Sequence, residues 1–295
     1  MADQHTKTPI LGVIGGSGVY SLDGLHGAEW GDIHTPFGAP SDALLVGELS
    51  GVRMVFLPRH GRGHVQTPST VNYRANIWAM KALGVTDILS VSAVGSLKED
   101  LPPGTFVLVD QFIDRTFARE KSFFGPGLVG HVPLAHPICS RLGDAIAAAA
   151  EVIGQPIRRG GTYMVMEGPQ FSTKAESELY RSWGCSVIGM TNMPEAKLAR
   201  EAEICYASIA MVTDFDGWHP DHDAVTVDQV VRVAGQNAAK VRHLLQATVP
   251  YLAAPRTLCR DGCDTALEHA IMTAPAQRDP AMLDALKPLL ARVLA

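Results

Sequence analysis

Short runs rich in β-branched and other apolar residues alternate along this chain with stretches of helical periodicity, and no other feature restricts the fold as much. The runs are ILGVI, RMVFL, DILSV, TFVLV, TYMVM, CSVIGM and CYASIAMV; the helical stretches are YRANIWAMKALG, CSRLGDAIAAAAEVIG, KAESELYRSWG and PEAKLAREAEI. Such alternation predicts an α/β fold, a single domain with a central mixed, partly parallel sheet flanked by helices. Gly84, Gly154 and Gly184 stand where helices should stop. TKAE at 173–176 and TVDQ at 226–229 fit the capping box, in which a hydroxyl and a carboxylate or amide satisfy free helix N–H groups. The second box opens a long helix, along which Val227, Val230, Val231, Ala234, Val241, Leu244 and Leu245 recur at helical spacing. No repeat or low-complexity linker interrupts the 295 residues. One domain over residues 1–255 is expected, followed by a helical tail at 256–295 packed on the domain or on a neighbouring subunit.

Composition narrows the function. A net charge of -5 with 19% charged residues argues against nucleic acid and anionic membranes as partners and leaves small-molecule chemistry. The opening MADQHTKTPI lacks a basic segment followed by an apolar core, and no run is long enough to span a bilayer. A cytoplasmic protein is expected. Its five cysteines, Cys139, Cys185, Cys205, Cys259 and Cys263, are an odd, scattered set that suits a reducing compartment. The CRDGC pair lacks the usual zinc-knuckle or thioredoxin spacing, so two free loop thiols are expected, with a redox clip as the lesser alternative. No metal site is expected: the histidines of HPDHD at 219–223 lie in a Pro-containing loop, where solvation is the simpler reading.

Small polar clusters follow several strand candidates, and ligands of open α/β sheets collect beyond the carboxyl ends of strands. GGSG at 15–18 offers main-chain N–H groups and the Ser17 hydroxyl to an anion, although a tight turn is the simpler expectation. RHGRGH at 59–64 gathers Arg59, His60, Arg62 and His64; a forked guanidinium suits phosphate, and solvation is preferred for Arg62 and His64. SVSAVGS at 90–96, with Ser92 and Ala93, lets a ligand approach the backbone, and GMTNMPEA sets Thr191 just before a helix start marked by Pro194. Together these suggest one site for a dianion. Phe171 in MEGPQFST either stacks on a planar base or packs in the core. VTDFDGW ends a buried run with Asp214 and Asp216, two apart and so on one side of a strand. Mutual repulsion should raise the pKa of one carboxyl, which suits a proton donor; caps of a turn are the plainer alternative.

With these residues assembled, the chain closely resembles the methylthioadenosine-cleaving members of the trimeric purine nucleoside phosphorylase family. IGGSGVY, TPFGAPSDA, RHGRGH, VNYRANIWA, DQFIDRT, EGPQFSTKAES, MTNMPEAKLA and CYASIAMVTDFDGW carry the resemblance, from about residue 10 to 250. It implies phosphorolysis of 5'-methylthioadenosine by a homotrimer, with inorganic phosphate as co-substrate and no cofactor. It implies that Ser17, Arg59, His60, Ser92, Ala93 and Thr191 hold phosphate, that Met190 contacts the sugar and that Phe171 and Phe215 line the base. By the same resemblance Asp214 is the acid at the purine N7, and Asp216 accepts from the exocyclic amine. Ser172, Val227 and Val230 tune specificity, and His131 reaches a neighbouring subunit's site. Ser17 and Ser92 keep a hydroxyl where threonine is common in the family's animal members, and Gly189 replaces a common asparagine. An asparagine in place of Asp214 marks the family's 6-oxopurine branch, so methylthioinosine or inosine phosphorolysis is the enzyme alternative. A water-using nucleosidase and a non-catalytic purine-binding module are the others.

Overall fold

The computed structural model describes residues 9–16, 18–19, 22–220, 226–253, 256 and 258–294. Strands β1 (Leu11–Gly15), β2 (His26–Gly31), β3 (Leu44–Leu49) and β4 (Val52–Pro58) precede helix α1 (Tyr73–Ala82). Then come β5 (Asp87–Ser96), β6 (Phe106–Leu108), β7 (Gln111–Asp114), α2 (Ser140–Val152), β8 (Ile157–Arg159), β9 (Thr162–Val165), α3 (Lys174–Ser182) and β10 (Val187–Gly189). Helix α4 (Glu195–Glu201), β11 (Cys205–Asp214), α5 (Val227–Leu252), α6 (Pro280–Ala285) and α7 (Lys287–Leu290) complete the order.

All the described strands join one mixed sheet, β2-β3-β4-β1-β5-β10-β9-β7, from which β11, β6 and β8 branch at β5. Strands β5 and β11 are buried along nearly their whole length because helices cover both their faces. Their side chains alternate accordingly. Ile88, Val94, Tyr206 and Val212 pack with α1, α4 and α7, whereas Leu89, Val91, Ile209 and Met211 pack with α2 and α5. The result is a three-layer α/β/α domain, and the C-terminal Leu286, Leu289 and Leu290 belong to its first core.

Local signals act as written. The Asn72 side chain caps α1, Thr173 and Glu176 close a reciprocal capping box on α3, and Gly84, Gly154 and Gly184 take positive φ just past three helices. Gln229 of the second box has a side chain outside the described residues. The apolar stripe of α5 differs from expectation. Val241, Leu244 and Leu245 are buried, but Val227 is 65% exposed and Val231 is exposed beside it. The N-terminal turns of α5 therefore reach past the body of the chain.

One irregularity positions the site. Strand β5 pairs in parallel with β1 as far as Ser90 and antiparallel with β10 only from Gly95, while β11 follows its other edge throughout. Residues 91–94 thus have one strand neighbour among the described residues, and Ala93 is exposed in the middle of a buried strand. A cleft opens in the sheet where β1 and the antiparallel β10 both end.

Candidate active site

The floor of this cleft is an ion pair. Arg59 follows β4, its side chain is only 1% exposed, and its main-chain N–H donates to Gly15 O at 2.9 Å. Its guanidinium donates through Nε to Glu195 Oε2 at 2.8 Å, and through Nη2 to Glu195 Oε1 at 3.1 Å and Ser90 Oγ at 2.6 Å. Nη1 donates to Val91 O at 2.9 Å, so the group ties the ends of β4 and β1 to the split in β5. One Nη1 N–H has no protein acceptor among the described residues. Glu195 Oε1 also accepts from Ser90 Oγ at 2.7 Å and Tyr206 Oη at 2.8 Å. Burial, the largest single influence, would raise the Glu195 carboxyl, but the Arg59 charge together with hydrogen bonds from Arg59, Ser90 and Tyr206 outweighs it and holds the pKa below the usual value. The rest of the loop divides. Arg62 is not simply solvated: its guanidinium forks onto Asp42 and lies 4.3 Å from the Trp30 ring centroid. His64 stacks on His60, with centroids 4.4 Å apart.

His60 is buried, and burial, helped by the Arg59 charge, lowers its pKa to about 4. Near neutrality it is uncharged. Its Nδ1 lies 3.0 Å from Gln66 O and must donate there, which leaves Nε2 as an acceptor. Ser92 Oγ is buried without a partner on the side of β5 that carries Ser90. Thr191 Oγ1 donates to Asn192 Oδ1 at 3.2 Å and lies 3.5 Å from Tyr163 Oη. Arg59, Ser92, Ala93 and Thr191 therefore surround the split in the sheet. Ser17 lies outside the described residues; its neighbour Gly18 is held by Arg242 of α5, whose Nη1 donates to Gly18 O at 2.7 Å.

The Met190–Pro194 segment owes its position to residues that motif reading passed over. Arg119, buried, donates through Nη1 to Met190 O at 2.8 Å and Met193 O at 2.7 Å, and through Nε to Glu167 Oε1 at 3.2 Å. Glu167 in turn accepts from the Phe117 N–H at 2.6 Å and from Ser69 Oγ. Glu167 opens a quoted motif, but Arg119 lies three residues past DQFIDRT, and nothing in the spacing shows that it meets Glu167, Met190 and Met193. Gly189 also finds a reason. A Cβ there would overlap the Tyr163 hydroxyl, so that ring occupies the space an asparagine would need.

At the other end of the cleft, Asp214 terminates β11 at a bulge. Its Oδ1 accepts the Asp216 N–H at 2.8 Å and its Oδ2 the Thr213 hydroxyl at 2.7 Å. Thr213 Oγ1 is also 3.1 Å from Val94 O, so its one proton can turn to that carbonyl when Asp214 is protonated. The expected pair on one strand face is not what forms. Asp216 has left the strand, with φ at +52°, and makes a turn onto Asp214. Both carboxyls are raised chiefly by burial; the Asp216 charge is the smallest contribution at Asp214. Asp216 Oδ2 is buried without a hydrogen-bond partner. Gly95 makes the close approach possible: a Cβ on it would lie 2.9 Å from Asp214 Oδ1 and 3.3 Å from Asp216 Cβ.

Phe171 is 40% exposed and so is no core residue, and Met190 packs on Gly168 in the same loop cluster. Phe215 is buried edge-on against Trp218, whose Nε1 donates to Ser96 O at 2.8 Å. Ser172 Oγ points to Met166 Sδ at 3.6 Å. His219 meets Glu99 at 3.0 Å, while residues 221–225 lie outside the described residues. Val230 is half-buried on α5. His131 is exposed and borders a separate cleft of about 430 Å³ with Lys121, Phe124 and Lys197, sharing no lining residue with the strand-end site.

The thiol reading is completed. Cys259 and Cys263 are free, and Cys259 lies in a loop, but both are buried, and their sulfurs gather with those of Cys139 and Cys205 within 4.8 Å of one another.

Residues 10–249 match the family model of the phosphorylase superfamily. The chain is 63% identical over 288 residues to the S-methyl-5'-thioadenosine phosphorylase of Rhodospirillum rubrum, covering 98% of each chain. Among solved structures it superposes with a TM-score of 0.90 and 44% identity on a methylthioadenosine phosphorylase from an Antarctic soil metagenomic library, covering 96% of this chain and 100% of that one. A variant adenosine/methylthioadenosine phosphorylase of Schistosoma mansoni, solved with methylthioadenosine, matches at TM-score 0.77 and 35% identity over 97% of this chain and 98% of that one.

Proposed function

Because the chain belongs to the phosphorylase superfamily, we propose that it cleaves S-methyl-5'-thioadenosine with inorganic phosphate, giving adenine and S-methyl-5-thioribose 1-phosphate for purine and methionine salvage. The observation that carries this reading is Asp214, a buried carboxyl with a raised pKa at the end of the central strand, beside a split edge supplied with hydroxyl donors. As the glycosidic bond lengthens, positive charge grows on C1' and negative charge on the purine. Phosphate beneath C1' offsets the first, and the Asp214 proton, delivered to N7, offsets the second. A phosphate oxygen bonds to C1', the C1'–N9 pair leaves with the base, and the proton that hydrogen phosphate sheds balances the one given to adenine.

Ser17, Ser92, Thr191 and the Ala93 main chain hold phosphate, with the remaining Arg59 Nη1 N–H, its charge balanced by Glu195, donating from below. Neutral His60 accepts the phosphate hydroxyl at Nε2, a role the Nδ1 bond to Gln66 supports. Asp216 accepts from the exocyclic amine, and its unpartnered oxygen supports this. Phe171, Phe215 and Met190 flank base and sugar; Ser172, Val227 and Val230 meet the sugar's 5' end. The reaction needs phosphate and no other cofactor. The active unit is a cytoplasmic homotrimer in which His131 completes a neighbour's site; exposed Phe171, Val227 and Val231 are surfaces such packing covers.

The test is product release from methylthioadenosine, adenosine and methylthioinosine, each with and without phosphate. Adenine release that requires phosphate, fastest from methylthioadenosine, is expected. Equal release in phosphate-free buffer makes the protein a nucleosidase; preference for methylthioinosine moves it to the 6-oxopurine branch.

A further inference from the structure

We propose that Cys139, Cys205, Cys259 and Cys263 form a tetrathiolate site for one zinc ion, which fastens the C-terminal segment to the body of the domain. All four side chains are buried, and their sulfurs lie within 4.8 Å of one another. Cys259 Sγ is 3.4 Å from Cys139 Sγ and 3.3 Å from Cys263 Sγ. Tetrahedral zinc with Zn–S bonds of about 2.3 Å places its sulfurs roughly 3.8 Å apart, so small adjustments admit the ion. A four-iron cluster holds its thiolates farther apart than this set allows. The pattern also argues against two disulfides, since Cys259 stands close to two different sulfurs instead of sharing one partner.

The ligands come from distant parts of the chain. Cys139 precedes the first turn of α2 without giving it a side-chain cap, which leaves its sulfur free to ligate beside the positive end of the helix. Cys205 opens β11. Cys259 and Cys263, spaced Cys-x3-Cys, are one residue wider than the zinc-knuckle pair but still within the range of structural zinc ligands, and the other two ligands, distant in sequence, could not be read from local spacing.

The surroundings suit a doubly negative tetrathiolate. Arg256 Nη2 donates to Cys205 Sγ at 3.3 Å and is itself fixed by Asp264 at 2.8 Å and Asp87 at 3.4 Å. The Ser140 N–H, at the α2 terminus, donates to Asp261 Oδ2 at 2.6 Å, which anchors the loop between the last two ligands. Such outer contacts orient thiolates and spread their charge. The four cysteines share their core with Leu142, Val249 and Ile209, which keeps water away. A cleft of about 400 Å³ lined by His136, Cys139 and Asp261 offers a route inward. The bound ion would lock the chain just before the segment that adds Leu267, Leu286 and Leu290 to the other core.

The decisive measurement uses the reduced full-length protein. Purified under reducing conditions, it should carry about one zinc per chain by elemental mass spectrometry. After removal of zinc with a chelator and a thiol reductant, added cobalt(II) should give the intense visible bands of tetrahedral tetrathiolate cobalt, displaced by one equivalent of zinc. Cys263→Ser should lose the tetrathiolate spectrum, and Cys185→Ser, whose cysteine sits in a separate cluster, should keep it. Reduced wild type that gives no such bands while all its thiols react on denaturation overturns the proposal. So does an unchanged spectrum in both Cys259→Ser and Cys263→Ser, or protein that carries disulfides among the four and takes up no metal once reduced.

Discussion

Arg59 and Glu195, separated by 136 residues in sequence, meet in a forked ion pair at 2.8 and 3.1 Å with both side chains 1% exposed. Removing one partner of a buried pair strands the other charge, at about 3–5 kcal/mol. Glu195→Gln should therefore lose stability of that order in urea unfolding and raise the KM for phosphate more than that for the nucleoside. Because the folded Glu195 pKa is depressed, its contribution is present above the unfolded value and is lost as pH falls through the folded one. A variant within about 0.5 kcal/mol of wild type would show that the pair does not hold the strand junction.

Asp214→Asn should reduce kcat/KM for methylthioadenosine by about 10²–10⁴-fold, the range for a lost general acid. Methylthioinosine should lose less, since the amide can donate to a 6-oxo group. In wild type the acid form disappears as pH rises through the elevated Asp214 pKa, so the rate falls on the alkaline side. Asp216→Asn should move this limb only slightly to lower pH, because burial and not Asp216 is its main cause. Equal losses on both nucleosides, with the limb retained in Asp214→Asn, would remove Asp214 from the acid role.

Gly95→Ala places a Cβ 2.9 Å from Asp214 Oδ1. Overpacking of this kind costs about 1–3 kcal/mol. Turnover should drop at least about tenfold while the fold, read by circular dichroism, survives. Wild-type kcat in this variant would mean the aspartates tolerate a displaced floor.

The depressed pKa of His60, about 4 against an ordinary 6.5, has a defined sign. Between these values the unfolded chain binds the extra proton, so stability falls as pH falls. The expected loss from pH 7 to pH 5 is about 2 kcal/mol, absent in His60→Gln. Parallel urea titrations of both proteins at the two pH values check it; identical pH slopes count against a neutral, buried imidazole.

Val227, 65% exposed, should tolerate Val227→Gln with a stability change within about 0.5 kcal/mol. The ratio of kcat/KM for adenosine to that for methylthioadenosine should nevertheless rise, because a polar group favours a 5'-hydroxyl over an apolar tail. An unchanged ratio would place the 5' pocket elsewhere.

The sequence by itself determined what depends on neighbours along the chain. The α/β alternation, the capping box of Thr173 and Glu176 and the glycine stops were legible because each is settled within a few residues. The strand-end clusters at Arg59, Thr191 and Asp214 could be picked out as well, since strands alternate regularly with the loops that follow them, but Ser92 and Ala93 lie inside β5, which runs on to Ser96 because β11 keeps pairing it. Which of those loops converge was decided only in three dimensions. Arg59 looked like a loop cation until Glu195 neutralised it across the sheet, and Gly95 looked like any strand glycine until two aspartates closed over it. The valines of α5 have helical spacing whether or not anything covers them, so periodicity alone could not tell exposed Val227 from buried Val241. The thiols show the limit most plainly: Cys139 and Cys259 are 120 residues apart, and no local spacing encodes a meeting that exists only because β11, α2 and the C-terminal segment pack at one point.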